Sequence, residues 1–123
     1  MAERQGALVI SFGTNRPGVA PSTVMEVLGR ALAHYDALRK AGRATSFRAY
    51  ASTARIGGQL LIEGELSTLA AISAEPESLK LLAQAGMVVE DLRVELMGGG
   101  SPDDATGYYL EAVLALQEAG LLA

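Results

Sequence analysis

The sequence predicts an α+β domain whose strands and helices run in the order βαββαβ, followed by a further helix at the C-terminus. Three features carry this reading. Stretches with apolar residues three and four apart succeed stretches in which apolar and polar residues alternate, so helical and strand periods take turns along the chain. The pair Gly57-Gly58 separates two of the alternating stretches, as a hairpin requires. Half of the 123 residues are hydrophobic, which fills the core of a single domain over 1–123 and is far from a disordered composition.

Ala7–Phe12 (ALVISF), rich in β-branched and large apolar residues, reads as the first strand. It is apolar on both faces, which places it inside a sheet rather than at an edge. Gly13–Pro21, with its two glycines and two prolines, reads as a loop. In the helix that follows, Thr23 and Glu26 have capping-box spacing, and Ser22 offers another cap. At about 100° per residue, Val24, Leu28, Ala31, Leu32, Tyr35 and Leu38 share one stripe. Gly42 supplies the stop, after Arg39 and Lys40 in the last turn, where the helix dipole favours cations. Arg43–Thr53 alternates, with Phe47 and Ala49 on one side and Ser46, Arg48 and Tyr50 on the other. Gln59–Glu65 returns from the glycine turn, Leu60 and Ile62 against Gln59, Leu61 and Glu63.

Leu66–Gln84 has helical spacing interrupted by Pro76. Proline costs about 3 kcal/mol inside a helix but suits its first turn. Two pieces are therefore expected, Ser67–Ser73 and a second from Glu75-Pro76 through Leu79, Leu82 and Ala83 to Gly86. Val88–Met97 reads as the fourth strand, with Leu92, Val94 and Leu96 opposite Asp91, Arg93, Glu95 and Met97. Gly98-Gly99-Gly100 ends it. Ser101-Pro102-Asp103-Asp104 then opens the last helix, with serine as N-cap, proline first and Asp104 closing the box. Tyr109, Val113, Leu114 and Leu116 give that helix, over 101–120, an apolar stripe, and Tyr108 and Tyr109 are expected to pack.

Right-handed crossovers put both helices of such a split βαβ unit, here 7–97, on one face of a four-stranded antiparallel sheet, the ferredoxin-like arrangement. Phe47, Ala49, Leu60, Ile62, Leu92, Val94 and Leu96 then point at the helices. The other face carries Arg48, Tyr50, Leu61, Glu63, Arg93, Glu95 and Met97 among its side chains. It is either a solvated face with surface ion pairs or one covered by a second copy around a partly polar cavity.

Net charge is −4, the pI is near 4.9, and no run of Lys or Arg offers the basic patch that nucleic acid demands. Cysteine is absent, which removes disulfides, thiolate metal sites and a cysteine nucleophile and fits a reducing cytosol. From Met1 to Gln5 nothing precedes the short apolar run that a signal peptide could use, and no stretch approaches the ~20 apolar residues of a membrane span. The expectation is a cytoplasmic protein with no membrane, nucleic-acid, metal or cofactor partner.

The element order, the passage ALRKAGRATSFRAYAST and the stretch GGQLLIEGELSTLAAISAEPESLKLLAQAGMVVEDLRVEL resemble the dimeric α+β barrel superfamily. That group includes antibiotic biosynthesis monooxygenases, YCII-related proteins and stress-responsive barrel proteins. The resemblance covers 7–97 and implies a homodimer paired sheet to sheet. It also implies a cleft between each sheet and its helices or between the two sheets, in some members the site of cofactor-independent oxygenase or cyclase chemistry. On that model Arg48 and Tyr50 hold or polarise a substrate oxygen, Glu63 or Glu95 is the base, Arg93 lines the cavity, and Asn15 and Arg16 close over its mouth. YCII-related proteins use a histidine of the first helix paired with an aspartate. His34 lies in that helix about one turn closer to Gly42, and Asp36 cannot be its partner because i and i+2 point apart. Haem-degrading relatives need a histidine and usually a tryptophan near the pocket, whereas Trp is absent here and the one histidine is His34.

Asn15-Arg16-Pro17-Gly18-Val19 before VMEVLGRAL is also similar to the amino-acid-binding loop of ACT domains, although Pro21 breaks the run into the helix and the helix is longer. An RNA-binding sheet of this topology needs exposed aromatics, and Tyr50 alone qualifies. The functional expectation is a homodimer that binds a small organic molecule, against a noncatalytic dimerisation module in which the same charges form interface ion pairs.

Overall fold

The computed structural model describes residues 4–121; Met1–Glu3, part of the N-terminal stretch considered above, and Leu122 and Ala123 lie outside the described residues. Strands β1 (Gln5–Phe12), β2 (Ser46–Ala51), β3 (Gly58–Glu65) and β4 (Arg93–Gly98) form one sheet in the order β2-β3-β1-β4, antiparallel at every pairing. Helix α1 (Pro21–Lys40) joins β1 to β2, and α2 (Leu66–Ala74) and α3 (Pro76–Val88) join β3 to β4. Helix α4 (Pro102–Glu118) follows β4. This is the ferredoxin-like α+β fold, with β1 in the sheet interior as its two apolar faces require.

Register sorts the side chains. Leu8 stands opposite Ile62 on β3 and Leu96 on β4, and Ile10 opposite Leu60 and Val94. Phe47 and Ala49 continue those rows onto β2. Leu8, Ile10, Leu60 and Ile62 pack with Tyr35 of α1 and with Leu69 and Ile72 of α2, and Ile62, Leu69 and Ile72 are completely sealed from solvent. The Tyr35 ring lies 6.2 Å from Phe47, and burial pushes its phenol pKa up.

Four boundaries depart from the sequence pattern. Helix α1 begins at Pro21, without the expected side-chain cap from Ser22 or Thr23. Proline's fixed φ and missing N–H suit the first helical position, and they move the start upstream. Strand β2 is Ser46–Ala51 rather than Arg43–Thr53, because Ala44 is drawn into the core and 52–57 form the turn. The break at Glu75 is where proline demands it. Helix α3, however, runs through Gly86 to Val88, and β4 starts only at Arg93. Its last carbonyls are taken from outside: Arg16 donates its Nε to Gly86 at 2.8 Å and its backbone N–H to Val88 at 2.9 Å. Asp91 then turns the chain at φ +56°, a left-handed conformation that aspartate tolerates better than most residues.

The edges are less covered than the apolar pattern implies. Val94 and Leu96 point to the helix side as expected but stay 40% and 38% exposed, because the helices sit over the sheet centre. Helix α4 has the expected Ser101 cap, its Oγ accepting the Asp104 N–H at 3.1 Å, yet it buries no residue. Tyr109 is 68% exposed instead of packing, while Tyr108 lies against Gly98, where an added Cβ would meet its ring at 2.4 Å.

Ile62→Ala is expected to cost about 2–5 kcal/mol in denaturant unfolding, the range for truncating a sealed core side chain. A loss below about 1 kcal/mol would contradict the core position assigned to it.

Candidate functional site

The sheet face away from α1, α2 and α3 presents its side chains in three registered rows. One runs Ser46, Glu63, Ala7, Met97; the next Arg48, Leu61, Val9, Glu95; the third Tyr50, Gln59, Ser11, Arg93. Alternation thus brings Arg48, Tyr50, Glu63, Arg93 and Glu95 to one face, as the sequence predicts. The middle of that face is apolar, with Leu61 and Val9 half-buried side by side, and its two edges carry opposite charges in Arg48 and Glu95.

The rows end in a hollow beside the β2–β3 turn. It holds about 420 Å³ and is lined by Ser11, Arg55, Gln59, Asp91, Arg93 and Glu95. A neighbouring depression of about 210 Å³ shares Ser11, Arg55 and Gln59 and adds Tyr50. Among the described residues, Arg48, Arg55, Asp91, Arg93 and Glu95 form no ion pair, so their charges are directed outward rather than at one another. Two guanidiniums can clamp ligand oxygens, and two carboxylates can accept protons or hydrogen bonds. Sequence reasoning missed Arg55 and Asp91. Arg55 belongs to no periodic segment, and Asp91 was assigned to a strand although it forms the turn.

The other predicted site residues lie elsewhere. Glu63 is on the open face but outside the hollow, and its Oε1 accepts the Ser46 hydroxyl at 2.9 Å. Asn15 pairs in a single bridge with Val89, and Arg16 caps α3, so their loop is fastened to the far end of α3. His34 is on the helix side of the sheet, where its Nε2 lies 3.0 Å from Oγ of the fully buried Ser78. Next to it, Glu75 receives both guanidinium nitrogens of Arg43, at 2.9 and 2.8 Å. The Arg43 hydrogen bonds, with a smaller contribution from the charge of His34, hold the Glu75 carboxyl below its usual pKa range. Asp36 bonds Arg39 and Lys40, not His34. These contacts tie α1, the α1–β2 connection, the α2–α3 break and α3 together and do not converge on the open face.

A second recess lies between the sheet and helices α1 and α3, lined by Ile10, Phe12, Val27, Leu28, Val88 and Leu92 among others. It is apolar and holds only about 40 Å³, against roughly 300–1,000 Å³ for ordinary ligand pockets. Among the described residues no group of three or more His, Asp or Glu side chains converges as a metal site, and no helix is long and apolar enough to cross a membrane.

No protein-family model and no curated protein matches the sequence. Solved structures match in fold. A dimeric ferredoxin-like protein of unknown function from Bacteroides fragilis superposes with a TM-score of 0.60 at 13% identity, over 77% of this chain and 96% of that one. A proposed antibiotic biosynthesis monooxygenase from Caulobacter crescentus gives 0.59 at 13% identity, over 80% and 92%. The hydroxynitrile lyase of Passiflora edulis gives 0.60 at 7% identity, over 81% and 97%. The first two are of the dimeric ferredoxin-like and monooxygenase-like kinds to which the sequence pattern pointed, the lyase is not, and at such identities the likeness is one of fold.

Glu75→Gln is expected to lower stability at pH 7. A carboxyl whose native pKa is depressed contributes fully above its unfolded pKa and loses that contribution as pH falls through the native value. The difference between wild type and variant, followed by urea unfolding, should therefore close in acid. A difference that is constant down to pH 3 would rule out the ion pair as its source.

Proposed function

We propose that the protein is a cytoplasmic homodimer joined through its open sheet face, which holds a small organic molecule in the hollow at the β2–β3 end of that face. The observation that carries this reading is the self-complementarity of the three rows. Aligned sheets pack face to face about 10 Å apart with strands within about 30° of one another. A two-fold axis parallel to the strands sets each row against the same row of a second copy, edge for edge. Arg48 then meets the partner's Glu95, Tyr50 meets the partner's Arg93, and Leu61 covers the partner's Val9. An axis across the strands would instead set Arg48 on Arg48 and Glu95 on Glu95. Attraction selects the first arrangement. Matching structures that are themselves dimers support the same reading.

In this arrangement the second copy roofs the hollow. Arg55, Arg93 and Tyr50 hold oxygen atoms of the ligand, and Asp91 is the lining carboxylate not engaged across the interface. If the molecule is an enzyme, these groups favour proton transfer or oxygen chemistry on the substrate's own electrons, as in cofactor-independent oxygenases and cyclases. The position of Arg48 outside the hollow favours a second reading, a noncatalytic dimerisation module in which the charges serve only the interface.

Arg48→Glu should raise the dimer dissociation constant at least about tenfold in sedimentation equilibrium, and the exchange Arg48→Glu/Glu95→Arg should restore it. No change in the single variant would sink the interface. Arg55→Ala should leave the dimer intact and weaken, by about tenfold, a small aromatic carboxylate that shifts the Tyr50 and Gln59 amide signals. A stable dimer in which no such carboxylate perturbs those signals would leave the module reading.

A further inference from the structure

The hollow at the end of β1 carries charges of both signs, and local structure fixes where two of them stand. From the β3 side comes Arg55, on the turn 52–57. That turn is tied internally. The Ser52 hydroxyl oxygen accepts the N–H groups of Ala54 and Arg55 at 3.3 and 3.4 Å, and the Ser52 N–H donates to the Gly57 carbonyl at 3.0 Å. Gly57, at φ 147°, lets the turn lie directly on the end of β1, where a Cβ would collide with the Phe12 carbonyl oxygen. From the β4 side comes Asp91. The Gly13 N–H donates to the Glu90 carbonyl at 2.8 Å, and a Cβ on Gly13 would stand 3.3 Å from Oδ2 of Asp91. The carboxylate thus lies over bare backbone. Because β1 runs between β3 and β4, Arg55 and Asp91 reach the hollow from opposite sides of its end.

We infer that the ligand of this hollow is zwitterionic, an amino acid whose carboxylate lies between Arg55 and Arg93 and whose ammonium lies on Asp91. This rests on the ligand-holding dimer proposed above and names the class of molecule it takes. In that dimer Glu95 answers the partner's Arg48, and Arg93 meets the partner's Tyr50, whereas no strand row offers a counterpart to Arg55 or Asp91. The unanswered charges are therefore one of each sign. A plain carboxylate would satisfy the guanidiniums and leave Asp91 under the second copy, short of water and without a cation. A plain amine would leave Arg55 in the same position. Either arrangement strands a desolvated charge, which is costly. A molecule with both charges satisfies both ends at once through charge-assisted hydrogen bonds. Ser11 and Gln59 supply neutral donors and acceptors between them. The side chain has a place as well. The neighbouring depression of about 210 Å³ opens from the same three residues, Ser11, Arg55 and Gln59, and ends on Tyr50, whose ring is 55% exposed in the single chain. An aromatic side chain fits against that ring.

Three probes separate the two charges. The amide signals of Tyr50 and Gln59 are followed during titration with L-phenylalanine, with hydrocinnamate, which lacks the amine, and with phenethylamine, which lacks the carboxylate. L-Phenylalanine is expected to bind at least about tenfold tighter than either. In Asp91→Asn its affinity should fall to that of hydrocinnamate, while hydrocinnamate itself loses nothing. Asparagine adopts the left-handed backbone of this turn as readily as aspartate, so the variant keeps the fold. Hydrocinnamate binding as tightly as L-phenylalanine, or an unchanged L-phenylalanine affinity in Asp91→Asn, would overturn the zwitterion and leave the hollow a carboxylate site. Phenethylamine binding as tightly as L-phenylalanine would overturn it too, and would remove the guanidinium clamp. A dimer whose Tyr50 and Gln59 signals none of the three probes moves would sink the zwitterion and the ligand hollow together, leaving the dimerisation module.

Discussion

Strand β1 is hydrogen-bonded on both sides, and its register with β3 and β4 decides which side chains meet the helices and which meet the outside. Because the side-chain period in a strand is two residues, a slip of one would carry Leu8 and Ile10 to the open face and bring Val9 and Ser11 inward. The sealed group of Leu8, Ile62, Leu69 and Ile72 opposes such a slip, since it would put leucine and isoleucine in water and a hydroxyl under the helices. The same constraint fixes the three rows on the other side. Arg48, Leu61, Val9 and Glu95 line up because the core on the opposite face admits no other register.

The fold therefore has one finished side and one unfinished one. Helices α1, α2 and α3 cover the centre of the sheet, with α1 and the α1–β2 connection stapled to α3 and the α2–α3 break by His34–Ser78 and Arg43–Glu75. The opposite face and α4 have no such covering. Apolar groups there cluster at the middle of the sheet and along one arc of a helix, while the charges stand at the edges. That distribution is the one that a polar-rimmed contact between protein surfaces uses.

Most of the open face was legible in the sequence, because alternation alone assigns faces once a segment is known to be a strand. Arg48, Tyr50, Glu63, Arg93 and Glu95 all emerged on one side for that reason. What alternation does not carry is distance along the strands. It grouped Glu63 with Arg93 although Glu63 is two rows away and bonded to Ser46, and it gave no place to Arg55, which arrives from a turn. His34 was visible as an isolated titratable residue, but its partner Ser78 comes from another helix, 44 residues later, and no local pattern announces that pairing.

Periodicity, proline and glycine placement thus determined the element order, the break at Glu75 and the helix stripes, since each depends on neighbours within a turn or a strand pair. The tertiary structure decided the rest. It carried α3 past Gly86 because Arg16, 70 residues away in sequence, satisfies its terminal carbonyl. It gathered Arg55, Asp91 and Arg93 around one hollow because a turn and two strand ends meet there. It left Val94, Leu96 and the leucines of α4 uncovered, because apolar spacing specifies that a face will be buried but not which surface will bury it.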